Sequence, residues 1–152
     1  MHTPTNGVPK GTIQNFTMLV GVYLSSVRQE NAGNFTVWPG THRIFEKYFR
    51  EHGAESLLDG MPKVDMPKPL QLMVEPGDVV FAHYELAHAP NISPNVRYAI
   101  YFRVTHREFD RNHWQATNRI VRPPIGCANL PTLSLSTFYP SVDPILVYPS
   151  SS

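Results

Sequence analysis

Apolar residues fall in short runs punctuated by Gly and Pro, and the spacing within the runs is mostly that of strands. Ile13 to Leu24 begins as an alternation and becomes continuously apolar, rich in β-branched and aromatic residues, which predicts a long strand entering a core covered on both faces. Asn31 to Gly33 supplies a turn, Asn34 to Trp38 a short strand, and Pro39-Gly40 stops it. The period then changes to that of a helix. Ile44, Phe45, Tyr48 and Phe49 share one face over His42 to His52, Thr41 suits the N-cap, and Gly53 suits the position just past the end. Ala54 to Leu58 extends this helical insert to about 42–58, and Asp59 to Pro69, with three prolines, reads as a surface connection. Leu72 to Val74, Val79 to His83 and Arg97 to His106 complete the predicted strands. The alternation over Arg97 to Thr105 marks one of its faces as buried.

After His113 the chain is rich in Pro, Ser and Thr and ends without periodicity, which predicts an irregular tail over 114–152. The expected fold is mainly β, a sandwich or jelly roll with the helix as an excursion between strands. Side chains projecting inward near one open end of such a fold would form its site.

Composition narrows the partners. The 152 residues, 41% of them hydrophobic, suffice for one core, and a net charge of +1 offers no polybasic surface for nucleic acid or an anionic membrane. Cys127 is the single cysteine, which excludes an internal disulfide or a thiolate metal cluster and fits a reducing compartment. Met1 to Lys10 lacks the cationic start and apolar core of a signal peptide, and the run Met18 to Leu24 is too short to span a bilayer. A cytoplasmic protein acting on a small molecule is the expectation.

Candidate chemistry gathers around the second Gly-Pro-bounded segment. His88 closes the run that starts after Pro76-Gly77 and Arg97 opens the next, so a hairpin between them would set an imidazole beside a guanidinium. The first is the commonest side-chain metal ligand, and the second clamps a carboxylate through two parallel hydrogen bonds. Ser93 or Asn91, in the intervening turn, could add a neutral hydrogen bond, although turns favour these residues anyway. His83 stands five residues before His88, so in one continuous strand the two face opposite sides. A local set of His83, Glu85 and His88, resembling a cupin-like metal pattern, is the weaker reading because a strand needs a bend to present all three together. His42 and His52 bracket the helix, where a solvated or capping role is expected. Tyr23, Trp38 and Phe102 read as core, and Asp78 as a turn residue.

Gly33-Asn34-Phe35-Thr36-Val37-Trp38-Pro39-Gly40-Thr41-His42 followed by a helix, then Gly77-Asp78 running to His88, Asn91, Ser93 and Arg97, resembles the phytanoyl-CoA dioxygenase family. The resemblance covers about Ile13 to His106. It implies a non-haem iron(II) and 2-oxoglutarate dependent dioxygenase on a double-stranded β-helix, hydroxylating an aliphatic carbon of a small molecule. By it, His88 is an iron ligand and Arg97 pairs with the distal carboxylate of 2-oxoglutarate; Ser93 is the turn residue expected to assist there, and no catalytic side chain is implied beyond the metal ligands.

The family pattern also requires a His-x-Asp pair upstream of the first long strand, and this chain contains none. The expectation is therefore a partial double-stranded β-helix over 1–113, incomplete at its N-terminus, with impaired activity, weak metal binding and self-association through an exposed strand edge. Whether it is an enzyme stays open. The alternatives are a non-catalytic binding or interaction module on the same fold, and the cupin-like metalloenzyme using His83, Glu85 and His88.

Overall fold

The computed structural model of the chain describes residues 13, 16–91, 93, 96–105 and 107, together with the backbone of Ile145–Tyr148. Its strands form two antiparallel sheets. One has the strand order β6-β1-β4-β7, formed by Ala99–Val104, Met18–Tyr23, Val79–His83 and Ile145–Tyr148. The other has the order β3-β2-β5, formed by Leu70–Gln71, Phe35–Val37 and His88–Pro90. Between β2 and β3 the chain makes α1, Thr41–His52, and a 3₁₀ segment, Ala54–Asp59. No helix among the described residues is long and apolar enough to cross a membrane.

The core lies between the sheets. Leu19 and Tyr23 of β1 and Val80 and Ala82 of β4 point inward, because alternate residues of a strand share a face, and they meet Phe35 and Val37 of β2. Tyr84 and Leu86 close the same cluster. A second, smaller cluster joins Phe45 and Phe49 of α1 to Ile13 and Leu57. The predicted apolar face of the helix thus packs as expected, with Phe45 and Phe49 buried and Ile44 and Tyr48 at its flanks.

Several elements differ from their sequence expectations. The first strand is shorter than Ile13 to Leu24, and the stretch Leu72 to Val74 contributes only an isolated bridge from Val74 to Val27 beyond β3. Thr41 is not the N-cap: Gly40, with φ 84°, holds that position, and Thr41 is the first helical residue. Its hydroxyl donates to the Trp38 carbonyl at 2.7 Å and accepts from the Ala87 N–H at 2.9 Å, so it ties the helix start to the chain entering β5. Gly53 does end α1, with its N–H on the Phe49 carbonyl. The tail, expected to be irregular, supplies β7, which pairs with β4 from Val79↔Tyr148 to Ala82↔Ile145. The short apolar run Ile-Leu-Val-Tyr suits a strand and covers what would otherwise be an open edge of β4. The rest of the predicted tail lies outside the described residues.

β6 carries the largest difference. Its alternation does mark two faces, but the apolar one, with Tyr98, Ile100, Phe102 and Val104, is turned out, and Phe102 is 51% exposed rather than core. Arg97, Ala99, Tyr101 and Arg103 take the inward side. The pairing Gly21↔Tyr101 fixes this register. A Cβ on Gly21 would come within 2.7 Å of Tyr101 Cε1, so the glycine makes room for the tyrosine ring across the strand pair.

Gly21→Ala is therefore expected to displace the Tyr101 ring and to cost about 1–3 kcal/mol, the usual penalty of overpacking. Urea denaturation measures it, and an alanine variant as stable as the parent would show that Tyr101 does not rest on Gly21.

Candidate functional site

The stretch from Val79 to Pro90 is two strands in different sheets, not one run. β4 ends at His83, whose carbonyl accepts from the Leu86 N–H at 3.1 Å and whose Nδ1 accepts from the Glu85 N–H at 3.2 Å. This tight turn delivers the chain to β5, where the Trp38 N–H on the Ala87 carbonyl and the register Val37↔His88 lock it beside β2. His88 shares a sheet face with Phe35, and their rings lie 5.2 Å apart. His88 and Arg97 are consequently not neighbours across a hairpin, since β5 and β6 belong to opposite sheets. They meet in another way: both line one cavity of about 690 Å³ between the sheets, with Leu19, Phe35, Tyr101 and Arg103.

The imidazole of His88 has one defined tautomer. Its Nδ1 lies 2.8 Å from the Leu86 carbonyl oxygen, which can only accept, so Nδ1 carries the proton and the neutral ring keeps its lone pair on Nε2. Burial pushes its pKa down, outweighing the carbonyl, so the ring is neutral at physiological pH.

Arg97 is held from the other wall. Its Nη1 donates to the Tyr101 hydroxyl at 3.2 Å, and its guanidinium lies 6.0 Å from the Tyr23 ring centre and 5.7 Å from that of Tyr101. The two tyrosine hydroxyls are 3.0 Å apart, and burial raises the pKa of Tyr23, so it stays a neutral phenol beside the cation. Gly33, at φ 83°, brings the two sequence motifs together: a Cβ there would meet the Ser93 side chain at 3.0 Å and the Arg97 Cβ at 3.7 Å. Ser93 thus stands beside the stem of Arg97. Asn91 is not directed to the cavity, because its amide donates to Asn31 Oδ1 and Gln71 Oε1, both at 2.8 Å.

Tyr101 and Arg103 line the cavity although neither stands out in the sequence. Their signal is the inward spacing from Arg97, at four and six residues, which the apolar alternation of β6 obscured.

The alternative set of His83, Glu85 and His88 does not converge. His83 belongs to the four-stranded sheet, and its Nδ1 lone pair is used on the Glu85 N–H, which leaves Nε2 as a buried donor without a partner. Burial, aided by the His42 ring 5.6 Å away, lowers its pKa to about 4. His42 is accordingly buried rather than solvated, whereas His52 does sit exposed at the helix end, stacked on Tyr48. Glu85 is buried, and burial, with some repulsion from Glu46, outweighs the nearby Tyr84 hydroxyl and raises its pKa to about 8. Asp78 serves its turn as expected, accepting from the Glu75 N–H at 2.8 Å. Among the described residues no three His, Cys, Asp or Glu side chains are grouped so as to hold a metal ion.

Searches against protein-family models, curated proteins and solved structures found no match for this chain.

Glu85 gives the stability a pH signature. Its folded pKa lies above the unfolded value of 4.5, so the folded state binds more protons between these limits and stability falls as pH rises toward 8. The buried histidines act the opposite way, their lowered pKa values removing stability as pH falls below about 6.5. Between pH 6.5 and 8.5 the Glu85 contribution dominates this pair of effects. Urea denaturation at both pH values should show a loss in the parent, at most about 1.4 kcal/mol per pH unit, that is much smaller in Glu85→Gln. An identical loss in the variant would mean that Glu85 titrates normally.

Proposed function

We propose that the cavity between the sheets is the cosubstrate site of a non-haem Fe(II)/2-oxoglutarate dioxygenase-like protein of the phytanoyl-CoA dioxygenase type, with impaired activity in this chain. One observation carries the reading. The imidazole and guanidinium expected to hold the two ends of 2-oxoglutarate come from opposite sheets, yet line a single cavity. Two further features support it. The His88 tautomer is that of a metal ligand with its other nitrogen fixed by a carbonyl, and Arg97 is oriented by the Tyr101 hydroxyl. Strands that alternate between two antiparallel sheets, β1 to β2, β3 to β4, β4 to β5 and β5 to β6, suit an incomplete double-stranded β-helix.

In this reading Arg97 binds the distal carboxylate by its two-nitrogen fork, while Tyr101 lines the cavity beside it and accepts from Nη1. Phe35 and Leu19 line the middle and limit water there. His88 offers one ligand to an iron(II) ion, whose bound chemistry would be two-electron oxidation of an aliphatic carbon with dioxygen. The described residues fit one ligand of the usual three, so metal affinity is expected to be weak. Among the described residues β5 is an edge strand of its sheet, and a further strand paired on its outer side would reach His88.

The same single ligand favours a second reading, a non-catalytic module that binds a diacid in the same cavity. Iron-dependent decarboxylation of 2-oxoglutarate separates the two, since turnover well above background rejects the non-catalytic module. Among the described residues β5 and β6 are edge strands, which makes self-association part of the proposal, and light scattering across a concentration series tests it: a constant monomer mass would remove it.

The clamp has its own test. Arg97→Lys keeps the charge but loses the fork, so calorimetric 2-oxoglutarate affinity should fall by about 1–3 kcal/mol. Unchanged affinity would take Arg97 out of the site.

A further inference from the structure

A second cavity, of about 310 Å³, takes His88 as part of its wall, as the first does, and adds Glu85 from the turn that delivers the chain to β5. The rest of its wall includes Trp38 after β2, Phe45 and Phe49 of α1, and Met61 and Met66 of the connection before β3. The turn fixes where Glu85 stands, since its N–H donates to His83 Nδ1 at 3.2 Å and the Leu86 N–H donates to the His83 carbonyl at 3.1 Å. Glu85 is only 3% exposed. Burial disfavours a charge there and Glu46 adds repulsion, while the Tyr84 hydroxyl beside it takes one acceptor position of a carboxylate that has about four. A desolvated carboxylate is stabilised most by a cation at close range, and aromatic faces attract the same cation, that of Trp most strongly. Thioethers adapt to the outline of a hydrocarbon.

We infer that this second cavity binds a small primary amine with a compact apolar body. The ammonium group meets the Glu85 carboxylate, and the hydrocarbon lies against the Trp38 ring and the side chains of Met61 and Met66. The volume is at the low end of the range for ligand pockets, which limits the body to about the size of one six-membered ring. Met61 and Met66 are exposed, so the connection that carries them forms the solvent side of the cavity and governs which amine enters. The site does not depend on the dioxygenase reading, because its carboxyl, rings and thioethers are separate from the Arg97 end of the first cavity.

Cyclohexylamine and cyclohexanol, alike in shape and different in charge, test this when titrated calorimetrically into the whole 152-residue chain at neutral pH. The amine should bind about tenfold more tightly than the alcohol, or better. Glu85→Gln should remove that preference, with circular dichroism showing that the fold is kept. Met66→Lys, at an exposed position, sets a fixed cation beside the cavity and should weaken the amine about tenfold while leaving the alcohol within about twofold. No amine binding, equal binding of the alcohol, or a preference retained in Glu85→Gln overturns the site. Should the glutamine variant not fold, Met66→Lys decides: the selective loss of amine binding upholds the site, and an unchanged amine affinity overturns it.

Discussion

The register of β6 on β1 is the constraint on which the site depends. Side chains alternate along a strand, so a slip of one residue would turn Arg97, Tyr101 and Arg103 out of the cavity and Tyr98, Ile100 and Phe102 into it. Gly21 opposite Tyr101 favours the observed pairing, because only a residue without a side chain leaves space for that ring. The register has a cost. It exposes a row of large apolar side chains on the outer face of the sheet, a surface that soluble proteins usually cover. Arg97 and Arg103 stand on the cavity side of the 97–104 segment, where Arg97 donates to the Tyr101 hydroxyl.

The opposite wall is fixed largely by one buried side chain. Asn34 is completely buried, accepts from the Ala32 N–H, donates to the Leu72 carbonyl, and offers its own carbonyl to the Asn91 N–H. It thereby joins the entry of β2 to the end of β5 and to the segment that follows β3, which holds the strand bearing His88 in place. The turn at Tyr84 to Leu86 does the remaining work by sending the chain from one sheet to the other. Glu85 is buried in that turn beside the Tyr84 hydroxyl, and its burial disfavours the charged carboxylate.

Much of the fold was legible in the sequence. The bounds of Val79 to His83 as a strand, the apolar face of the helix and its stop at Gly53 follow from local spacing and backbone preference, which the tertiary structure did not override. The glycine-led motif at Gly33 and the pair His88 and Arg97 were also visible, and they do share a region of space. What was hidden is long-range. Nothing local in Phe81 to Pro90 shows that the chain changes sheets at Tyr84, so His88 and Arg97 looked like hairpin neighbours rather than residues of opposing walls. The alternation of β6 revealed two faces but not which was inward, because that depends on Gly21, some eighty residues earlier. Thr41 has the composition of a cap but a different role, set by the Ala87 N–H. The strand at Ile145–Tyr148 was concealed by the Pro- and Ser-rich stretch before it.

The central claim is that an imidazole and a guanidinium from two sheets address one ligand. Nuclear magnetic resonance of the His88 ring and the Arg97 side chain during a single 2-oxoglutarate titration tests it most directly. Both sets of signals should shift together and yield the same dissociation constant. Movement of one set without the other, or of neither, would contradict the account.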